Sequence, residues 1–462
     1  MADTRTAPRR LSVGSISGLS AERAGMELWI GAMGPRNWDD FGRTVGESEK
    51  MCEQAGIRAG DIVLISAASG FDLLARFFGA ASLGAVVAPL APDRLVESEA
   101  WKAHFRVDWR LDDGGLERMD AGGGTEVSRA LLGELRGRGH PGLILATGGT
   151  TGSPKLVLHD LASLLATVPV KDGRRLRILP LMHLDHIGGL DAAWRALGGG
   201  HILVEPPANL DPWAVAEAVA RHKVEVLPAT PSFLNLLLIA GPKLTGTLGS
   251  LKVVPYGAEP MPPGLLARLR EALPGAEFVE RFGTSETGAL PVRRGGGGLE
   301  LRGSATGFDW KVFDGELWVR SPARALGYLA GGSGEFGKDG WFRTGDLAET
   351  HSDGSIRVLG RREDIINVGG EKVLPDGVEE ALRSHPLVAD CRVTALPNAL
   401  LGQVVAAEVV WLGIQRDAVA VKHLLHDHAA GSLPKCHLPA VVRLVDAIDT
   451  NRNLKRSRTP RP

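Results

Sequence analysis

The sequence predicts an α/β fold. It has a large N-terminal domain with mixed, largely parallel sheets and a small β unit, then a small α+β C-terminal domain. Three observations predict this. Short apolar runs alternate with segments of helical spacing over about 60–257. From about 300 the alternation gives way to short strand-like runs joined by turns. After Arg361 a second strand-and-helix pattern begins. A chain of 462 residues has room for two domains, and the border is expected near 361–364.

In chain order, residues 1 to about 25 read as loosely ordered, and organised pattern starts near 38. GDIVLISAASGFDLLARFFGAASLGAVVAPLAP (60–92) reads as strand, turn, helix, strand, with the helix over Phe71–Leu83 and a buried strand over Ala85–Pro89. GLILAT (142–147) is a strand running into a Gly/Thr-rich loop. HILVEPP, the helix DPWAVAEAVARH, KVEVLPAT and a helix from about 231 continue the alternation, and LKVVPYGAEP (251–260) is a strand ending in a turn. GELWVRSP and DGSIRVLGR are strands of the antiparallel unit. PDGVEEALRSHP, VADCRVTALP, QVVAAEVVW and DAVAVKHLLHDHAA give helix, strand, strand and helix in the last domain.

Composition excludes several function classes. The net charge is −1 with no long charged block, so neither nucleic acid nor an anionic membrane is an expected partner. No run of 18 apolar residues suggests a membrane span. Cys52, Cys391 and Cys436 are too far apart for a zinc ribbon or a disulfide framework. With a polar, Arg-bearing start instead of a secretory signal, this predicts a cytoplasmic protein.

The loop in LILATGGTTGSPKLVLH (143–159) carries the first chemistry. Gly148, Gly149 and Gly152 allow backbone N–H groups to approach an anion closely, Thr150 and Thr151 add hydroxyls, and Lys155 adds a point charge. This is phosphate-cradling chemistry. Pro154 and the absence of Ser or Thr after Lys155 exclude a Walker A loop. The plain alternative is a surface turn in a chain with 60 glycines.

Further segments remove that alternative. The loop resembles the Thr-Ser-Gly-Thr-Thr-Gly-x-Pro-Lys-Gly element of the adenylate-forming superfamily: acyl-CoA and aryl-CoA ligases, nonribosomal adenylation domains and luciferases. LPLMH (179–183), VVPYGAEPMP (253–262), RFGTSETG (281–288), GELWVRSPARALGYL (315–329), WFRTGD (341–346) and GRREDIINVGGEKVLPDGVEE (360–380) resemble its later elements in the same order. The resemblance runs from about 40 to 458 and is strongest to acyl-CoA ligases.

The resemblance implies an enzyme, an acid-thiol ligase of the AMP-forming type. A carboxylic acid attacks the α-phosphate of ATP in the presence of Mg²⁺, giving acyl-AMP and pyrophosphate. The C-terminal domain then rotates, and the thiol of coenzyme A attacks the acyl-AMP. It further implies domains over 1–362 and 363–462, with the hinge at Glu363. Thr147 and the loop to Gly152 with Lys155 would hold phosphates. Glu286 would hold Mg²⁺, and Asp346 the ribose hydroxyls. Arg361 would pair with ribose or phosphate. Gly257, Ala258, Glu259 and Pro260 would enclose adenine with Phe282, on the segment Arg281, Phe282, Gly283, Thr284, Ser285. His183 would stand at the mouth of the acyl pocket, and Gly369-Gly370 would line the pantetheine tunnel. His186 reads as a structural histidine. Gly188, Gly189, Gly257 and Gly288 suggest room for a long or bulky apolar acid.

The last element, VDAIDTNRNLKRSR (445–458), keeps Lys455, the lysine implied to meet the α-phosphate, and Arg458. It departs at Asp449, Asn451 and Leu454, where the family has Pro, Thr and Gly. Gly148 replaces Ser, Leu156 replaces Gly, Phe282 replaces Tyr and Glu363 replaces Asp or Lys. Leu tolerates a positive φ poorly. A displaced Lys455 would impair adenylation and leave only thioester formation from acyl-AMP supplied by a separate adenylating ligase. The alternatives are a complete two-step ligase, one that loads an acyl-carrier protein, and a non-catalytic nucleotide-binding protein.

Overall fold

The computed structural model describes residues 9–147, 155–290, 292–293, 300–301, 307–332, 335–337, 339–352, 354–415, 417–452 and 454–456. A seven-stranded sheet runs in the order 327–330, 155–160, 142–147, 86–89, 62–65, 107–112, 115–121. Its four inner strands are parallel and its edges antiparallel. Three of these, 142–147, 86–89 and 62–65, are almost wholly apolar because both faces are covered, while 107–112 alternates buried and half-buried residues.

A second sheet starts with Gly34–Asn37, Glu27–Gly31, Ile202–Val204 and Arg177–Ile178. It continues through single-residue parallel bridges at Val226 to the parallel pair Val253–Gly257 and Glu277–Arg281. One hydrophobic cluster, containing Trp38, Phe41, Phe77 and Trp194, joins the two sheets through the helices Trp38–Ala55, Gly70–Ser82 and Ile187–Gly199. A second cluster packs the helices Pro212–His222, Pro231–Ile239 and Pro263–Ala272 on the second sheet.

A four-stranded antiparallel sheet follows, in the order 309–313, 316–320, 342–350, 356–361. The small C-terminal domain has the sheet order 371–373, 366–368, 402–411, 388–398, with 441–444 parallel to 402–411. Its helices, Pro375–Arg383 and Ala418–Ala429, cover a separate core.

The chain's first described residues correct one expectation. Residues 9–25 are not loose: Ser15–Glu22 is a helix, and Leu11, Ile16 and Leu19 are buried in the large core. Three apolar residues at spacings of five and three sufficed to dock a segment whose polar flanks hid the pattern. No described helix is long and apolar enough to cross a membrane.

Candidate active site

The second sheet explains why distant motifs meet. Residues 177–178, 226, 253–257 and 277–281 run parallel, so their carboxyl ends open on one edge. That edge receives the segments that follow: 182–186, Thr230, 258–260 and 282–286. Ligands in open α/β sheets bind at such edges. The strands approach so closely at Gly257 that a Cβ there would lie 2.3 Å from the Arg281 carbonyl oxygen. Ala258 follows at φ +68°, a left-handed conformation that exposes the turn.

A cleft of about 1250 Å³ opens there, lined by Tyr256, Glu259, Phe282, Asp346, Arg361 and Lys455 among others. Asp346 and Arg361 come from adjacent antiparallel strands and stand directly opposite in register. Arg361 Nε lies 2.7 Å from Asp346 Oδ1. Burial outweighs that pairing and raises the Asp346 carboxyl to about 6. Phe282 is half-buried against the core of the antiparallel sheet and turns part of its ring to the cleft.

The Glu286 turn is held from within and from below. Thr284 Oγ1 accepts from the N–H groups of Glu286 (3.2 Å) and Thr287 (3.2 Å). Tyr328 Oη donates to Glu286 Oε1 at 2.9 Å. Burial and that carboxylate raise the phenol's pKa. Lys155 stands near the same group, 5.4 Å from the Tyr328 ring centroid and 3.6 Å from Glu335 Oε1. Among the described residues no three His, Cys, Asp or Glu side chains could hold a metal by themselves. One carboxylate, Glu286, beside the expected phosphate site nonetheless fits Mg²⁺, which takes few protein ligands and completes its shell with phosphate and water.

Lys455 reaches this cleft from the C-terminal domain. Its ammonium lies within electrostatic reach of Glu259, Asp346, Glu286 and Arg361, and burial lowers its pKa. The expectation that Leu454 would displace it is not met. Leu454 adopts φ +56°, the conformation a glycine would take there. Its side chain is buried in the second cluster of the large domain, and its carbonyl accepts from Thr230 Oγ1 at 2.5 Å. A left-handed Leu costs roughly 1–2 kcal/mol, an amount that burying the side chain offsets. Leu156 is likewise accommodated, as a buried strand residue opposite Ala146 and Ala330.

Other predicted residues divide. His183 is partly buried, and burial and Arg452 lower its pKa. His186 is structural: its Nδ1 accepts from Gly188 N–H at 3.0 Å and caps the helix Ile187–Gly199, and burial holds it neutral, at about 3. Thr147 and Lys155 pair across a hairpin, and the loop Gly148, Gly149, Thr150, Thr151, Gly152 between them lies outside the described residues, as does Arg458. Gly369 and Gly370, at φ +60° and +98°, form the turn between strands Ile366–Val368 and Glu371–Val373. They are not among the residues lining the cleft.

The glycines of the expected acyl pocket do not make room. A Cβ on Gly188 would meet Met182 Sδ at 2.5 Å, and one on Gly189 the His183 carbonyl oxygen at 2.1 Å. Gly257 is closed by Arg281, and Gly288 sits at φ +68° near Leu164. These are close-packing and turn positions, so the inference of a bulky apolar acid loses its basis. Sequence reasoning missed Tyr328, Thr230, Asp185 and Arg452. Tyr328 lay inside a quoted motif and is one of only two tyrosines.

Two family models match: AMP-binding enzyme over residues 133–329, and AMP-binding enzyme C-terminal domain over 377–455. The chain belongs to the adenylate-forming superfamily. It is 32% identical over 344 residues to the medium-chain acyl-CoA ligase Mig of Mycobacterium avium, covering 65% of this chain and 62% of that one. It is 27% identical over 450 residues to the L-proline–[L-prolyl-carrier protein] ligase of Pseudomonas fluorescens, covering 87% and 88%. The crystal structure of the anthranilate CoA ligase AuaEII with anthranoyl-AMP superposes with a TM-score of 0.79, at 19% identity, over 97% of this chain and 96% of that one. That likeness establishes the fold: a large N-terminal and a small C-terminal domain. The chain spans between a half and two-thirds of the length of the first curated relatives it matches.

Proposed function

We propose that this adenylate-forming protein activates a carboxylic acid as its acyl-AMP and transfers the acyl group to the thiol of coenzyme A. One observation carries the reading. Lys455 enters, from the small domain, the cleft lined by the Asp346–Arg361 pair, and the Glu286 carboxylate lies within its electrostatic reach. In the first half-reaction a carboxylate oxygen of the acid bonds to the α-phosphorus and pyrophosphate leaves. The Lys455 ammonium offsets the negative charge that develops there. Asp346 accepts from the ribose hydroxyls, and the Phe282 ring and the Ala258-Glu259-Pro260 turn enclose the base. Lys155 faces the phosphates, with Thr147 and the loop that follows it. Glu286, held by Tyr328, supplies the protein's carboxylate to Mg²⁺, which shields phosphate charge when bound.

In the second half-reaction the thiol sulfur bonds to the acyl carbon, and AMP leaves. The small domain, taken as 363–462, turns at Glu363 and brings Gly369-Gly370 to line the pantetheine path. His183 borders the acyl group.

The accommodated Leu454 and Leu156 support a complete two-step ligase over one confined to thioester formation. A carrier-protein thiol is the second reading for the acceptor. The long match to the L-proline carrier-protein ligase favours weighing it.

The test gives the protein a panel of carboxylic acids in two arms. Acid with Mg·ATP should support pyrophosphate exchange, and preformed acyl-AMP with coenzyme A should yield thioester. Thioester without exchange would mean a divided reaction with a separate adenylating ligase. Binding of acyl-AMP without turnover in either arm would mean a non-catalytic nucleotide-binding protein. Replacing coenzyme A with a phosphopantetheinylated carrier protein discriminates the acceptor.

A further inference from the structure

The turn that carries Lys455 is fastened on both sides. On its own domain, Arg456 Nη1 lies 2.7 Å from Glu379 Oε2 and Nη2 lies 2.8 Å from Asp390 Oδ1, both carboxylates being buried. On the large domain, Arg452 Nη1 lies 2.7 Å from Asp185 Oδ2, with Asp93 Oδ1 at 3.5 Å from Nη2. Leu454 enters the large domain's second core, and its carbonyl accepts from Thr230. The Arg456 backbone N–H donates to Glu259 Oε1 at 2.6 Å, while Glu259 Oε2 accepts from the Ser232 N–H.

The two fastenings differ in kind. The Arg456 pairs stay within the small domain and travel with it. The Arg452, Leu454 and Glu259 contacts cross to the large domain and must break if the small domain turns. Asp185 is 3% exposed and also receives Arg94 Nη1 at 3.0 Å and the Ala91 N–H at 3.3 Å. It also lies two residues after His183, so the acceptor of the crossing ion pair belongs to the segment at the expected acyl mouth.

We propose that Arg452 and Leu454 are positioning residues that latch the small domain onto Asp185 and the Thr230 pocket, holding Lys455 in the cleft and biasing the protein toward the adenylate-forming arrangement. Lys455 serves adenylation only under the reading above, and the latch rests on that reading for its catalytic meaning. Its structural meaning stands alone. Leu454 replaces a position without a side chain by one that adds apolar contact across the domain border.

The test uses the full chain. Arg452→Ala leaves Asp185 paired with Arg94, so folding is expected to persist. Arg452→Lys is the conservative companion, and Leu454→Ala removes the plug while retaining the left-handed backbone. Spin labels at Val96→Cys and Val419→Cys, both exposed, report the interdomain distance after Cys436→Ser, because Cys52 and Cys391 are buried. The parent should show one dominant docked distance. Arg452→Ala should lower the ratio of docked to undocked protein at least about tenfold, with Leu454→Ala moving it the same way and Arg452→Lys restoring part of it. With an acid that supports turnover, pyrophosphate exchange should fall about as far in Arg452→Ala. Thioester formation from preformed acyl-AMP should hold or rise, a split that general damage would not produce.

An unchanged distance distribution in Arg452→Ala and Leu454→Ala overturns the latch. If no acid supports exchange even in the parent, the ligase reading fails on that arm alone, and the distance measurement still decides the latch.

Discussion

Lys155, beside the Tyr328 that bonds Glu286, and Lys455, in the cleft, carry the same charge and are held in opposite ways. Lys155 begins a strand of the large domain, paired with Thr147 across a hairpin, and its ammonium rests near Tyr328 and Glu335. Its position depends on a sheet that exists in any domain arrangement. Lys455 sits on a turn whose large-domain contacts are Leu454, Arg452 and the Arg456 N–H. Its position is a property of docking. A cation needed throughout a reaction suits the first mounting, and one needed for a single step suits the second.

The sharpest way to break this comparison is to remove each lysine. Lys455→Ala is expected to slow pyrophosphate exchange by roughly 10²–10³-fold, the usual cost of losing one preorganised group that meets developing charge. Thioester formation from preformed acyl-AMP should persist. Lys155→Ala is expected to slow both half-reactions, by about tenfold, if, as proposed, its ammonium faces the ATP phosphates in the first and the AMP phosphate in the second. Equal effects of Lys455→Ala on both half-reactions would remove the distinction.

Next in size is the proposed ribose grip. Burial raises the Asp346 carboxyl from 3.8 to about 6. A carboxyl raised on folding contributes stability that is present below about 4 and lost as pH rises through about 6. Ribose binding runs the other way, because the ionised form is the better acceptor. The KM for ATP should therefore rise as pH falls through about 6, and Asp346→Asn should flatten that limb while raising KM at neutral pH. A pH-independent KM in the parent would contradict the assignment.

A smaller effect is expected below the Glu286 turn. Tyr328→Phe removes the bond to Glu286 Oε1 without changing the ring that Lys155 faces. The Mg²⁺ concentration giving half-maximal pyrophosphate exchange should shift severalfold, consistent with one hydrogen bond to a charged group. The ATP dependence at saturating Mg²⁺ should move little. The smallest effect is expected for Leu454→Gly. It relieves a left-handed Leu and loses a buried side chain, a net weakening of docking of about 1 kcal/mol, readable as a change in the spin-label distance populations.

Much of the candidate site was legible because several motifs follow a strand or close a turn, as at 258–260 and 282–286, although Asp346 lies within the strand Phe342–Thr350. The Asp346–Arg361 pair illustrates the limit. Both residues were singled out, but their 2.7 Å contact follows from an antiparallel register that no local pattern encodes. The four glycines were misread because a missing side chain looks the same in sequence whether it leaves space or admits a neighbour. Met182 and the carbonyls of His183 and Arg281 occupy that space at Gly188, Gly189 and Gly257, and Gly288 serves a left-handed turn. Leu454 was misread for a related reason. A rule about φ concerns one residue, whereas its accommodation comes from a core contributed by another domain. Arg452 and Asp185 are 267 residues apart, and nothing in either neighbourhood announces the other.

The pairing of Asp346 with Arg361 has a mechanical side. Arg361 closes its strand two residues before Glu363, so with the proposed pivot there, the ribose grip lies almost on the axle. Points near an axle sweep short arcs and distant ones sweep long arcs. Under that proposal the nucleotide stays gripped while the Lys455 turn, on the swinging body, leaves the cleft and the Gly369-Gly370 hairpin arrives. An intermediate held at the axle need never be let go between the two steps.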